Sequence, residues 1–123
     1  MEIIWENEIL YLLQEQNELP WVKIFLKSEK KELTDCTQIE QNEIFTTALR
    51  VESAMREYYN PAKINHASFG NILPKVHWHI QARFNNDAYF PESLWGVKQQ
   101  DAKLNLPPFD GFIKLLKKKL NAR

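Results

Sequence analysis

A chain of 123 residues, 44% of them hydrophobic, is long enough for one domain with a real core. Its 16 basic and 16 acidic residues cancel to a formal net charge of zero, which excludes a broad nucleic-acid surface, because binding a polyanion needs a basic excess. Cys36 is the one cysteine, so no intrachain disulfide can form, and a reducing, cytoplasmic setting is expected. The opening Met1-Glu2-Ile3-Ile4-Trp5-Glu6 has no basic stretch and no long apolar run, so neither a signal peptide nor a membrane span is expected.

Taken in order, residues 6–17 carry Ile9, Leu10, Leu12 and Leu13 among polar neighbours, a spacing that predicts a short helix ended by Leu19-Pro20. Trp21 to Lys27 reads as a strand with Val22, Ile24 and Leu26 on one face and Lys23, Phe25 and Lys27 on the other. Ser28 to Asp35 reads as a loop. Thr37 and Glu40 fit a capping box at the start of a long helix that runs to about Tyr58, with Ile44, Ala48, Val51, Met55 and Tyr58 on one stripe. Asn60-Pro61 ends it. Lys63 to Phe69 is a strand of poor alternation, and Gly70-Asn71 is a turn. A polar connection from Lys98 to Pro108 leads to a last helix of about Phe112 to Leu120, capped by Asp110, with Lys117, Lys118 and Lys119 in its final turn. That basic run reads as a solvated helix end.

The stretch with the most chemistry is Lys75-Val76-His77-Trp78-His79-Ile80-Gln81-Ala82-Arg83-Phe84. Read with a period of two, it gives an apolar face (Val76, Trp78, Ile80, Ala82, Phe84) and a polar face (Lys75, His77, His79, Gln81, Arg83), the pattern of a half-buried strand. Two imidazoles at i and i+2 therefore point the same way. One reading is simply a solvated polar face. A second is a metal site, but zinc needs three or four ligands, and His66, Cys36 and the carboxylates stand at no telling spacing. The third is covalent catalysis. A neutral imidazole whose protonated nitrogen is held by a carbonyl has its other nitrogen aimed as a nucleophile. A second imidazole, if protonated, stabilises a phosphate or protonates a leaving group. Gly70, Asn71 and Lys75 add donors and charge suited to a phosphate.

These residues resemble the histidine triad (HIT) family, whose motif is His-φ-His-φ-His-φ-φ with φ apolar. The resemblance spans roughly Leu19 to Gly96 and is closest to small bacterial HIT-domain proteins. It rests on Leu19-Pro20-Trp21, Lys63-Ile64-Asn65, Gly70-Asn71-Ile72-Leu73-Pro74, Ala82-Arg83-Phe84 and the run Asp87 to Gly96. It implies an α+β fold with an antiparallel sheet, here with one long helix packed across it and short terminal helices. It also implies a homodimer, and hydrolysis or transfer at the α-phosphate of a nucleotide through a nucleotidyl-histidine. The substrates implied are nucleotides, dinucleoside polyphosphates or phosphoramidates, and no cofactor or metal is expected. One triad histidine is missing. The Ala82-Arg83 offset and the Gly70-Asn71 lead-in favour a register in which His77 is the middle, attacking histidine, His79 the last, and Lys75 replaces the first. The other register makes His79 the nucleophile and Gln81 the third member, as in galactose-1-phosphate uridylyltransferases. A nucleotide-binding dimer with little turnover is the alternative function, because Lys75 replaces a histidine.

The remaining expectations are structural. His66 and Trp95 read as packing residues, with Trp95 at a subunit contact rather than serving as a base-stacking platform. Cys36 reads as an inert thiol, although the neighbouring helix start favours a lowered pKa. Asn65 fits a contact to ribose or phosphate as well as it fits a strand-end role.

Overall fold

The structure, a computed structural model, describes residues 2–122. Five antiparallel strands form one sheet: β1 (Ile3–Glu6), β2 (Leu10–Gln14), β3 (Trp21–Leu26), β4 (Lys63–Ala67) and β5 (His77–Arg83), in the order β1-β2-β3-β5-β4. Two helices cover one face, α1 (Gln38–Tyr59) and α2 (Phe109–Asn121). The fold is therefore α+β, as expected, but the described residues hold no N-terminal helix.

The segment expected to be helical is instead the β1–β2 hairpin. Asn7 makes the turn, its Oδ1 accepting from the backbone N–H groups of Ile9 and Leu10 at 2.8 and 3.0 Å. Leu10 and Leu12 then alternate into the core. Four apolar residues at positions 9, 10, 12 and 13 satisfy both periods, and pairing with β3 decides between them.

The long helix starts where its capping box predicts. Thr37 Oγ1 accepts from the Glu40 N–H at 3.1 Å, and the Glu40 carboxylate accepts from the Thr37 N–H at 2.8 Å. Hydrogen bonds from the Ser28 hydroxyl, the Thr37 N–H and Lys30 hold the Glu40 carboxyl down at about 2. The helix ends at Asn60, which adopts a left-handed conformation with φ 48° ahead of Pro61. The last helix begins three residues before its predicted start. Pro108 occupies the N-cap, and Asp110 lies in the first turn, where its charge favours the dipole.

Val22, Ile24, Ile80 and Ala82 from the sheet meet Val51, Ala54 and Met55 of α1 and Phe112, Leu116 and Leu120 of α2. Each large side chain buried here contributes about 1.5–3 kcal/mol. Cys36 is buried in a satellite cluster with Leu26, Ile44 and Val76. Burial raises its thiol pKa, the reverse of the lowering expected from the helix start. The other face of the sheet carries Lys23, Phe25, His77, His79, Gln81 and Arg83, and no helix covers it. The register places Lys23 opposite His79, Phe25 opposite His77, and both Trp21 and Asn65 opposite Gln81.

Candidate active site

The polar face of β5 is not a solvated one. His79, Gln81 and Arg83 are all buried. The loop after β5 folds back over them, and its anchor is Asp87, which is fully buried. Arg83 donates to Asp87 from Nε at 2.9 Å and from Nη2 at 3.0 Å. The backbone N–H groups of Phe84, Tyr89 and Phe90 donate to the same carboxylate at 2.8–3.0 Å. Burial pushes the Asp87 carboxyl up, but these donors outweigh it and hold it below the usual range. The clamp brings Trp95 back against Trp21, Phe69 and His79, with ring centroids 5.4, 4.7 and 5.1 Å apart.

His77 is fixed on two sides. Its Nδ1 donates to the Lys75 carbonyl at 2.9 Å. Its ring stacks on Phe25 at 5.0 Å and 12°, and Phe25 stacks in turn on Tyr11 at 5.3 Å and 9°. A carbonyl is only an acceptor, so Nδ1 carries the proton and the lone pair lies on Nε2. No protein group among the described residues bonds to Nε2.

His79 is fixed the opposite way round. The Trp21 indole Nε1–H donates to its Nδ1 at 3.0 Å. An indole N–H only donates, so Nδ1 is bare and Nε2 carries the proton. Burial first, then the charges of His77 and Lys23, lower its pKa to about 4. The protonated His79 allowed for in the sequence reading is thus replaced by a neutral ring that offers one N–H.

Both histidines border a cavity of about 360 Å³, together with Gly70 and Asn71. Gly70 makes the turn with φ +72°, a conformation that favours glycine. Phe69, Ile72, Leu73 and Trp95 give the cavity its apolar wall. Trp95 is therefore at the cavity and not only a packing residue.

Three candidate residues lie outside this cavity. Lys75 borders a neighbouring hollow, and its ammonium is 5.7 and 6.0 Å from the Phe25 and Tyr11 ring centroids. Gln81 and Asn65 border another hollow beyond Phe69 and Trp95. Asn65 Oδ1 accepts from Arg83 Nη1 at 2.9 Å, whereas the buried Gln81 amide has no protein partner among the described residues. His66 faces the helix side, bonded to Glu52 at 2.9 Å and to the Trp78 indole at 3.1 Å. No group of three or more metal-binding side chains occurs among the described residues. Trp21 and Phe25, which set the two imidazoles, were missed as site residues. Their only sequence signal is that Trp21, Lys23 and Phe25 alternate on one face of β3.

A five-stranded antiparallel sheet with one helix-covered face, and two imidazoles of opposite tautomer on β5, defines a class of small α+β proteins. The family model for the HIT domain matches residues 3–86, and the chain belongs to the HIT family. Among solved structures, it is similar to a histidine triad protein from Bradyrhizobium japonicum, with 29% identity, a TM-score of 0.80, and coverage of 96% of this chain and 89% of that one. It also shares its fold with a histidine triad protein from Marinobacter aquaeolei VT8, at 20% identity and a TM-score of 0.78 over 98% of this chain and 89% of that one. A zinc-bound histidine triad family protein from Mycobacterium smegmatis shares the fold at 19% identity and a TM-score of 0.63, over 99% of this chain and 86% of that one. No curated protein matches the sequence. Family membership supports nucleotide binding, or hydrolase or transferase activity, as a class. Among the described residues, no helix is long and apolar enough to cross a membrane.

Proposed function

We propose that this protein is a nucleotide hydrolase or nucleotidyltransferase that works at the α-phosphate through a nucleotidyl-histidine on His77. The observation that carries this reading is the His77 tautomer: Nδ1–H is held by the Lys75 carbonyl, and Nε2 is left free beside the cavity. The Nε2 lone pair bonds to phosphorus, and the bond from phosphorus to the leaving atom breaks, its electron pair departing with that atom. The ring, still protonated on Nδ1, becomes a cation that the Lys75 carbonyl stabilises. Water or another hydroxyl then attacks phosphorus and releases its proton to solvent. The phosphorus–nitrogen bond breaks, and the pair returns to Nε2. Gly70 and Asn71 supply N–H donors for the phosphate oxygens, and His79 supplies a hydrogen bond from its Nε2–H. Incubation with a dinucleoside polyphosphate or an activated AMP ester should release AMP.

One observation favours a second reading, a nucleotide-binding protein that does not turn over. Lys75, which replaces the first triad histidine, directs its ammonium over two aromatic rings and does not border the histidine cavity. AMP binding without AMP release from any donor would establish that reading. In either case the unit is a homodimer. β4 is an edge strand, and the exposed Phe45 and Leu49 of α1 run beside it, since Phe45 contacts Trp78 and Glu52 bonds to His66 of β4.

A further inference from the structure

We propose that Trp21 makes the site selective for donors whose leaving group departs as a weakly basic anion, over donors whose leaving atom must take up a proton. The favoured class is the anhydrides of the α-phosphate with sulfate, carboxylate or phosphate. The disfavoured class is phosphoramidates and alkyl esters. The inference rests on the reading of His77 as nucleophile and names the substrate class for it.

One hydrogen bond sets the protonation of His79. With Nδ1 of His79 accepting from the Trp21 indole at 3.0 Å, the ring holds a single proton, on Nε2. Giving that proton away would leave an imidazolate whose one hydrogen-bond donor is the indole N–H, beside a Lys23 already paired with Glu15. His79 therefore lends a hydrogen bond and keeps its proton. To act as a general acid it would first have to be protonated on Nδ1, and the indole N–H occupies that position.

Its surroundings oppose that step. Lys23 faces it from β3 and His77 precedes it on β5. Phe69 and Trp95 cover it with ring centroids 6.5 and 5.1 Å away, and Ala67 of β4 faces it from the other side. The one acidic group directed this way, Glu15, is already paired with Lys23 at 2.9 Å. Among the described residues that border the cavity, only His77 is otherwise titratable, and its Nδ1–H is committed to the Lys75 carbonyl while its Nε2 takes the phosphorus. A sulfate or carboxylate departs from phosphorus without a proton. An amine or alkoxide does not.

Two measurements test this. The first needs no variant: the ¹⁵N shifts of His79 in the labelled protein, followed from pH 8 to pH 5, should show a neutral ring protonated on Nε2 throughout. A ring protonated on Nδ1, or one titrating near the ordinary value of about 6.5, overturns the proposal. The second compares kcat/KM for adenosine 5′-phosphosulfate and for the butylamine phosphoramidate of AMP, in the wild type and in Trp21→Phe. The wild type should strongly prefer the phosphosulfate. In Trp21→Phe the preference should shrink by at least about tenfold, the low end of what a general acid contributes being about a hundredfold. Equal use of both donors by the wild type, or an unchanged preference in the variant, overturns the proposal while the nucleophile reading stands. No product from any donor overturns that reading, and the selectivity with it.

Discussion

Protonating His79 means breaking the Trp21 hydrogen bond and charging a ring that is only 8% exposed. The folded pKa of about 4 lies below the unfolded value of about 6.5, so above pH 6.5 the ring is neutral in both states and folding is unopposed. As pH falls from about 6.5 towards 4, the unfolded chain binds a proton that the folded one refuses, and stability is lost. The loss attributable to this group is about 3 kcal/mol. Urea titrations at pH 7 and pH 4 should therefore show a smaller acid loss in His79→Gln, which keeps an acceptor for Trp21. Parallel losses in the two proteins would contradict this account. The positions of His77 and His79 on one strand face were legible in the sequence, because a period of two is local. Their tautomers were not. The His79 tautomer depends on Trp21, 58 residues away, and so on a strand register that no local pattern encodes.

At the scale of elements, the loop after β5 is held by one carboxylate. Asp87→Ala leaves the Arg83 guanidinium buried with Asn65 as its hydrogen-bond acceptor among the described residues, and removes the acceptor for three backbone N–H groups. The expected cost is about 3–5 kcal/mol, measured by chemical denaturation, and a loss under about 1 kcal/mol would contradict the clamp. Trp95 fluorescence should also become more water-exposed, because the clamp is what returns that ring to the cavity. Elements with strong local signals were legible: the capping box at Thr37, the stop at Asn60-Pro61, the alternation of β3 and β5. The β1–β2 hairpin was not, because a four-residue apolar run fits a helix as well as a strand until a neighbouring strand pairs with it. The burial of Gln81 and Arg83 was also hidden, since what covers them arrives from residues 84–97.

At the scale of the whole molecule, β4 is an edge strand and the neighbouring stripe of α1 carries the exposed Phe45 and Leu49. Trp21 and Phe90 are engaged within the chain: Trp21 against His79 and Trp95, Phe90 under the Arg83 guanidinium at 5.7 Å. Phe45 and Leu49 are 45% and 63% exposed, and the proposed dimer would bury them. Sedimentation should give a dimer at micromolar concentration. Phe45→Glu combined with Leu49→Glu should shift it to monomer with unchanged helix content. A wild-type monomer under those conditions would contradict the dimer.

The central claim is that His77 forms a bond to phosphorus. Intact-protein mass spectrometry after brief incubation with an activated AMP donor tests it most directly. Wild type should gain one adenylyl group, His79→Ala should gain it more slowly or hold it longer, and His77→Ala should gain none. An adduct on His77→Ala that is missing from His79→Ala would contradict the account and make His79 the nucleophile.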